Sequence, residues 1–386
     1  MSPFEKFLDQ MTAAARLTQD NDPRAATHVI QQALKAAGLL PTHDAPRGEM
    51  SVPEPIGLNP LPEWLQKAHC AKDVVRDAPQ RSRRYPPAIG RARMPAYDPR
   101  APGEFLQGSF NSATDRLDYK LYVPSRPATT PRPLIVMLHG CTQNADDFAA
   151  GTAMNVLAEA HDCLVVYPEQ SRQANPTLCW NWFEAEQQGR ESREPSLIAG
   201  MTREVTARWQ GDQHRVYVAG LSAGGAMAAV MGATYPDVYA AIGVHSGLPV
   251  GTARDLVSGM AAMKKARSGR ARVAGKVTTP VPIIVFHGDM DDKVHPYNGE
   301  AVLEQFLHPA QGPCNAARRQ IQHGGEELGF TRTEILDSAG RAVAEYWQLH
   351  RAGHAWSGGS AAGSYTNPAG PDASAEMLRF FLSQAI

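Results

Sequence analysis

The sequence predicts an α/β fold: a mostly parallel central sheet with helices on both faces. Two observations carry this. Short apolar runs rich in β-branched residues recur at 134–138, 216–218, 241–244 and 281–286, and each is followed by a polar or glycine-bearing turn. One of them, Val216-Tyr217-Val218-Ala219-Gly220-Leu221-Ser222-Ala223-Gly224-Gly225-Ala226, passes through Gly-x-Ser-x-Gly into small residues that read as a helix.

That junction is a nucleophile elbow, a strained strand-to-helix turn that lifts a serine hydroxyl clear of the sheet. The glycines at 220 and 224 have a steric task there. Strand and helix approach closely, and a side chain at either position collides with neighbouring backbone. The helix start behind Ser222 also offers unpaired N–H groups and a positive dipole end to an oxyanion. By composition alone the pattern turns up in roughly one chain in ten of this length. The reading therefore rests on its partners.

A serine needs a base, and the base needs an orienting group. The chain order for this elbow is Ser, then Asp or Glu, then His. Downstream, the buried-type strand at 281–286 ends in His287-Gly288-Asp289-Met290-Asp291-Asp292-Lys293-Val294. Asp291 is the expected acid, with Asp289 and Asp292 read as solvated turn residues. A later strand pattern, 346–350, leads into Arg351-Ala352-Gly353-His354-Ala355-Trp356, and a Gly-His pair in such a loop suits an exposed imidazole. His354 is the expected base and His295, beside the Asp turn, its competitor. His139, His245 and His287 end apolar strands and read as hydrogen-bonded strand-end residues.

The strand at 134–138 runs into His139-Gly140-Cys141-Thr142-Gln143. An oxyanion hole takes one N–H from the residue after the nucleophile and one from a loop after an early strand. Those are Ala223 and Cys141. Gly140 lets the backbone approach a substrate carbonyl. Gln143 is expected to orient the loop and to line the substrate site. Trp180, Trp182 and Trp356 are expected walls of an apolar groove, with core packing the competing reading.

From about Gly108 onward the chain resembles the poly(3-hydroxybutyrate) depolymerase family of esterases, related to feruloyl and acetylxylan esterases. The matching words are His139-Gly140-Cys141-Thr142-Gln143, Tyr167-Pro168-Glu169-Gln170, Cys179-Trp180-Asn181-Trp182-Phe183, the elbow, His245-Ser246-Gly247-Leu248-Pro249 and His287-Gly288-x-x-Asp291-x-x-Val294. The resemblance implies an α/β-hydrolase fold that needs no cofactor, with Ser222 as nucleophile, Asp291 as acid and His354 as base. It also implies a bond between Cys141 and Cys179 that ties the oxyanion loop to the Trp180–Trp182 loop.

Composition bounds the rest. The 386 residues suffice for one large α/β domain plus an appendage, and a net charge of −1 gives no global pull toward nucleic acid. No apolar stretch reaches 18 residues, so no membrane span is expected. The charged N-terminus, Met1-Ser2-Pro3-Phe4-Glu5-Lys6, lacks a signal-peptide core and predicts a cytoplasmic protein. Cys70, Cys141, Cys163, Cys179 and Cys314 are an odd set rather than a disulfide framework, and no Cys/His spacing makes a metal site.

Three segments are expected. Residues 1–40 read as an amphipathic helical hairpin, with Ala26, Val29, Ile30 and Leu34 on one face. Such a face packs on a neighbour or serves as an adaptor to a polymer granule. Residues 41–104 hold twelve prolines and the basic run Arg81, Arg83, Arg84, Arg91 and Arg93, which is a linker or an extended wrap. Residues 105–386 form the catalytic domain. A second basic run spans 264–276. The expected function is a serine esterase acting on short-chain hydroxyalkanoate esters or their polymer. The alternatives are a carbohydrate (acetyl or feruloyl) esterase and, from another class, a non-catalytic granule scaffold. The oligomeric state is left open.

Overall fold

The computed structural model describes residues 102–264, 277–307, 317–323 and 328–386. The expected hairpin at 1–40, the proline-rich stretch up to residue 101, most of the basic run at 264–276, and Cys70 and Cys314 lie outside the described residues.

The strands are β1 (Glu104–Asn111), β2 (Arg116–Val123), β3 (Arg132–Leu138), β4 (Leu164–Pro168), β5 (Gly211–Leu221), β6 (Ala241–His245), β7 (Ile283–Gly288), β8 (Ala317–His323), β9 (Phe330–Leu336), β10 (Ala342–Leu349) and the short β11 (Trp356–Ser357) and β12 (Thr366–Asn367). The first ten form one sheet in the order β1-β2-β4-β3-β5-β6-β7-β10-β9-β8. From β4 to β10 in that order every pairing is parallel. Antiparallel strands extend both edges.

Residue choice explains the layering. β3, β4, β6 and β7 are buried along their whole length. Strands covered by helices on both faces need apolar side chains at every position rather than at alternate ones. Successive side chains still point to opposite faces. Leu134, Val136 and Val218 therefore join one core with Ile198, Met201 and Met227, while Ile135, Met137 and Tyr217 join another with Phe148, Met154 and Phe381.

The helices are α1 (Ala145–Thr152), α2 (Met154–His161), α3 (Arg193–Arg208), α4 (Ala223–Thr234), α5 (Leu256–Lys264), α6 (Tyr297–Leu307) and α7 (Ala373–Phe381). Residues of α3, α4 and α6 fill the first core, and residues of α1, α2 and α7 fill the second. The caps are local. Asn144 accepts from the Asp147 N–H at the start of α1, and Asp372 accepts from the Ala375 N–H at the start of α7. Among the described residues no helix is long and apolar enough to cross a membrane. The consequence for function is that β3, β5, β7 and β10 end at one edge of the sheet, and the four candidate loops leave from that edge.

Candidate active site

Ser222 follows β5 directly and caps α4 with φ 57° and ψ −116°, a left-handed backbone that a side-chain-bearing residue adopts at a cost. Close packing holds it there. A Cβ at Gly220 would stand 2.4 Å from the Gly224 carbonyl carbon and oxygen, and one at Gly224 would stand 2.0 Å from the Leu138 oxygen. The glycines thus let α4 rest on the ends of β5 and β3 together. The Ser222 N–H is anchored to the His245 carbonyl at 2.9 Å.

Local bonds hold the loop after β3. Gly140 N–H donates to Gln143 Oε1 at 2.9 Å, Thr142 N–H to the Thr177 carbonyl at 2.8 Å and Gln143 N–H to the Gly140 carbonyl at 3.3 Å. Neither the Cys141 nor the Ala223 N–H is taken up by an acceptor among the described residues. These are the donors expected for an oxyanion. A Cβ on Gly140 would lie 3.7 Å from Ser222 Cβ, so the oxyanion loop passes right beside the nucleophile. Cys141 and Cys179 are bonded, with Cα atoms 4.2 Å apart.

Gln143 orients this loop. Its oxygen takes the Gly140 N–H, and its amide nitrogen donates to Asp147 Oδ2 at 2.8 Å and to the Ser364 carbonyl at 3.1 Å. At 2% exposure it offers no atom to a substrate, which corrects its assignment as a substrate-lining residue.

The residues expected as acid and base meet across the sheet edge. Asp291 leaves β7, His354 leaves β10, and Asp291 Oδ2 accepts from His354 Nδ1 at 2.7 Å. Asp291 Oδ1 accepts from the Lys293 and Val294 N–H groups, both at 2.9 Å. Burial alone pushes this carboxyl up, but the bonds from His287 and His354 outweigh it and hold Asp291 well below the usual carboxylate range. It is therefore a carboxylate at any working pH. With Nδ1 engaged, His354 presents Nε2. Among the described residues no hydrogen bond joins Ser222 Oγ to His354. Catalytic hydrogen bonds of this type commonly tighten only when substrate binds.

The competing acids have other tasks. Asp289 Oδ1 takes the Arg351 N–H at 2.7 Å and so ties the acid turn to the base loop. The Asp292 side chain is 74% exposed beside Lys293. His295 accepts from the Tyr297 N–H through Nδ1 at 3.2 Å and makes no contact with Asp291 of the kind His354 makes. His139 and His245 are wholly buried, which depresses them to about 4 and about 3 respectively and keeps both rings neutral. Each is an acceptor through Nε2: His139 from the Gln170 N–H and His245 from the Ser357 N–H, both at 3.1 Å.

The three tryptophans belong to the core, not to a groove wall. Trp356 is fully buried, stacked on His245 at 5.2 Å and edge-on to Phe148 at 5.5 Å, with its N–H on Ser374 Oγ. Trp180 is 1% exposed and leans on His139 at 5.5 Å. Trp182 is 6% exposed and packs edge-on to Phe183 beneath α5. Large rings beside the site stabilise its loops by burial, which removes their faces from any ligand.

Sequence reasoning missed the Glu194 hub. This buried carboxyl of α3 accepts from the Asn181 N–H at 2.8 Å and from the Asn181 and Gln170 side-chain amides, both at 2.6 Å, so it pins the loop that carries Cys179. Burial raises its pKa despite these bonds. No sequence signal marks it, because its partners, Gln170 and Asn181, come from two segments remote from α3 in sequence.

Comparisons with known proteins show the family and the fold. A sequence model described as "Esterase PHB depolymerase" matches residues 117–328. The chain is 36% identical over 214 residues to poly(3-hydroxyalkanoate) depolymerase C of Paucimonas lemoignei, covering 52% of this chain and 50% of that one. It is 30% identical over 272 residues to poly(3-hydroxybutyrate) depolymerase of Ralstonia pickettii, covering 64% and 53%. The chain thus spans about half the length of these curated relatives. The solved acetyl xylan esterase from Aspergillus awamori superposes with a TM-score of 0.55 at 18% identity, over 73% of this chain and 100% of that one. That likeness establishes the shared α/β-hydrolase fold.

Proposed function

The chain belongs to the esterase PHB depolymerase family, and from that premise we propose that it is a serine esterase that works through an acyl-enzyme on Ser222. The carrying observation is the Asp291–His354 pair at 2.7 Å on the sheet edge where the Ser222 elbow and two unpaired amides converge. In the first step His354 Nε2 removes the Ser222 proton as Oγ attacks the ester carbonyl carbon. The Cys141 and Ala223 N–H groups receive the developing oxyanion, a contribution of about 3–4 kcal/mol per donor in comparable sites. The tetrahedral adduct collapses, the C–O bond to the alcohol breaks, and His354 returns the proton to the departing oxygen. Water then attacks the acyl-enzyme with His354 again as base, releasing the acid and restoring Ser222. Asp291 stays ionised throughout, fixing the imidazole tautomer and stabilising the imidazolium.

The substrate reading is poly- or oligo-(3-hydroxybutyrate) or a related short-chain hydroxyalkanoate ester. The support is the character of the rim. Large exposed apolar side chains are few among the described residues, and Leu256, Val257, Met260, Met290 and Tyr365 are five of the seven. They lie on α5 or beside the acid turn, the base loop and the oxyanion loop. α5 bonds to the acid turn through the Met263 carbonyl and Lys264, and its Gly259 abuts Phe183. The Met290 N–H bonds to the Ala352 carbonyl beside the base, and the Tyr365 hydroxyl meets Thr142 of the oxyanion loop. Such a rim suits an aliphatic polyester better than a sugar, and makes a granule surface the partner. A carbohydrate esterase is the second reading, favoured by the fold shared with the acetyl xylan esterase.

Location follows redox state. A Cys141–Cys179 bond persists in an oxidising compartment and is reduced in the cytoplasm. Thiol labelling in intact cells therefore distinguishes the cytoplasmic location expected from the N-terminus from an exported one. The test of mechanism is kinetic. Asp291→Asn should lower kcat far more than Asp289→Asn or Asp292→Asn on p-nitrophenyl butyrate, and equal losses would sink the acid assignment.

A further inference from the structure

The triad's acid has a second imidazole against it. His287, the penultimate residue of β7, is fully buried, and its Nε2 lies 2.9 Å from the Val294 carbonyl oxygen and 3.4 Å from Asp291 Oδ2. A carbonyl can only accept, so Nε2 carries the proton and faces both oxygens. The opposite ring nitrogen, Nδ1, has no partner among the described residues. It is sealed by α6, where a Cβ on Gly299 would stand 2.7 Å from it. A proton on Nδ1 would be buried without an acceptor, so the ring donates through Nε2. The helix that walls off Nδ1 therefore selects the tautomer that aims an N–H at Asp291.

We propose that His287 is a positioning residue for the triad: its Nε2–H, shared between Val294 and Asp291, fixes the carboxylate plane so that Oδ2 meets His354 Nδ1. This rests on the esterase reading of the Ser222 site. The turn supplies two N–H groups, from Lys293 and Val294, and both go to Oδ1. Oδ2 has only side chains, His354 at 2.7 Å and His287 at 3.4 Å. Without His287 the whole charge on Oδ2 falls to the single bond with His354, and the carboxylate can rotate about its anchored oxygen. The titratable groups facing this cluster are His245, from β6, and His295, from the acid turn, besides His354 itself. Burial holds His245 and His295 below the ordinary histidine range.

The experiment compares His287→Leu, which has no donor, with His287→Gln, whose amide reaches the place of Nε2. The readouts are the pH titration of the low-field Nδ1 proton of His354 by NMR, and kcat and KM on p-nitrophenyl butyrate. His287→Leu should move the titration midpoint up in pH and cut kcat roughly tenfold with little change in KM, the low end for losing a bond to a charged group. His287→Gln should return both toward the wild-type values. If His287→Leu fails to fold, His287→Asn replaces it, since its shorter amide cannot reach Asp291. A folded donor-free variant with unchanged midpoint and kcat overturns the proposal, as does equal damage in the Gln variant. The NMR readout needs no turnover. A midpoint that moves in an enzyme hydrolysing no ester would leave the positioning role standing and remove the esterase reading instead.

Discussion

A Cβ at Gly224 would stand 2.0 Å from the Leu138 carbonyl oxygen and 2.6 Å from that of His139. The nucleophile helix thus rests directly on the strand end that feeds the oxyanion loop. Both obstructing atoms are backbone, so no rotamer change relieves the overlap. Gly224→Ala should cost roughly 3 kcal/mol or more. In whatever fraction folds, kcat should fall because β3 and its loop are displaced. Urea denaturation with parallel kinetics checks this, and a stability unchanged from wild type would contradict the packing.

The Cys141–Cys179 bond closes a loop with a sequence separation of 38 and holds one of the two proposed oxyanion amides. Loop-closure entropy alone gives up to about 4 kcal/mol for such a loop. Cys179→Ser should lower stability by about 2–4 kcal/mol and lower kcat with KM nearly unchanged. An enzyme whose kcat survives the substitution would show that Cys141 is held well enough by Thr142 and Gln143 alone.

Acid should destabilise the fold in a defined window. Burial lowers His139 from 6.5 to about 4 and His245 from 6.5 to about 3. The unfolded chain therefore binds protons at these sites before the folded one does. Their contribution is complete above about pH 6.5 and is lost as pH falls through 4 toward 3. Asp291, held down in the folded state, adds to the same loss at the low end. Thermal midpoints measured from pH 7 to pH 4 should decline. Replacing His245 by Gln, which keeps an acceptor for the Ser357 N–H but does not titrate, should flatten the decline.

The parts of the site legible in sequence were those set by local rules. The Ser222 elbow needs small residues at fixed offsets, and the buried parallel strands show as continuous apolar runs. The antiparallel edge strands β1, β8 and β9 are not legible in the sequence, because edge strands carry polar side chains such as Gln107, Gln320 and Thr333 and look like loop. Trp180 and Trp356 were misplaced for a related reason. A loop aromatic near a catalytic word has the same sequence signature whether its ring faces solvent or core, and only the partners, His139 and His245, decide. His287 was read as a strand-end residue. Its approach to Asp291 depends on a turn whose backbone path is invisible without the fold.

The apolar rim gives a substrate prediction. Leu256 and Val257 on α5 are 51% and 60% exposed. Converting both to Ser should leave p-nitrophenyl acetate hydrolysis within roughly twofold, since exposed substitutions rarely change stability by more than about 0.5 kcal/mol. Release of 3-hydroxybutyrate from amorphous polymer should fall by a much larger factor. Equal effects on both substrates would remove the rim from polymer engagement.

The most direct test of the account is to trap the acyl-enzyme. The protein is mixed with p-nitrophenyl butyrate and, separately, with a 3-hydroxybutyrate oligomer, quenched in acid within the burst, digested and mapped by mass spectrometry, with Ser222→Ala alongside. A Ser222 acyl-enzyme should give a burst of p-nitrophenol and an acyl group on the peptide that contains Ser222, and neither should appear in the Ala variant. Turnover without a Ser222 adduct, or turnover that survives Ser222→Ala, would contradict it.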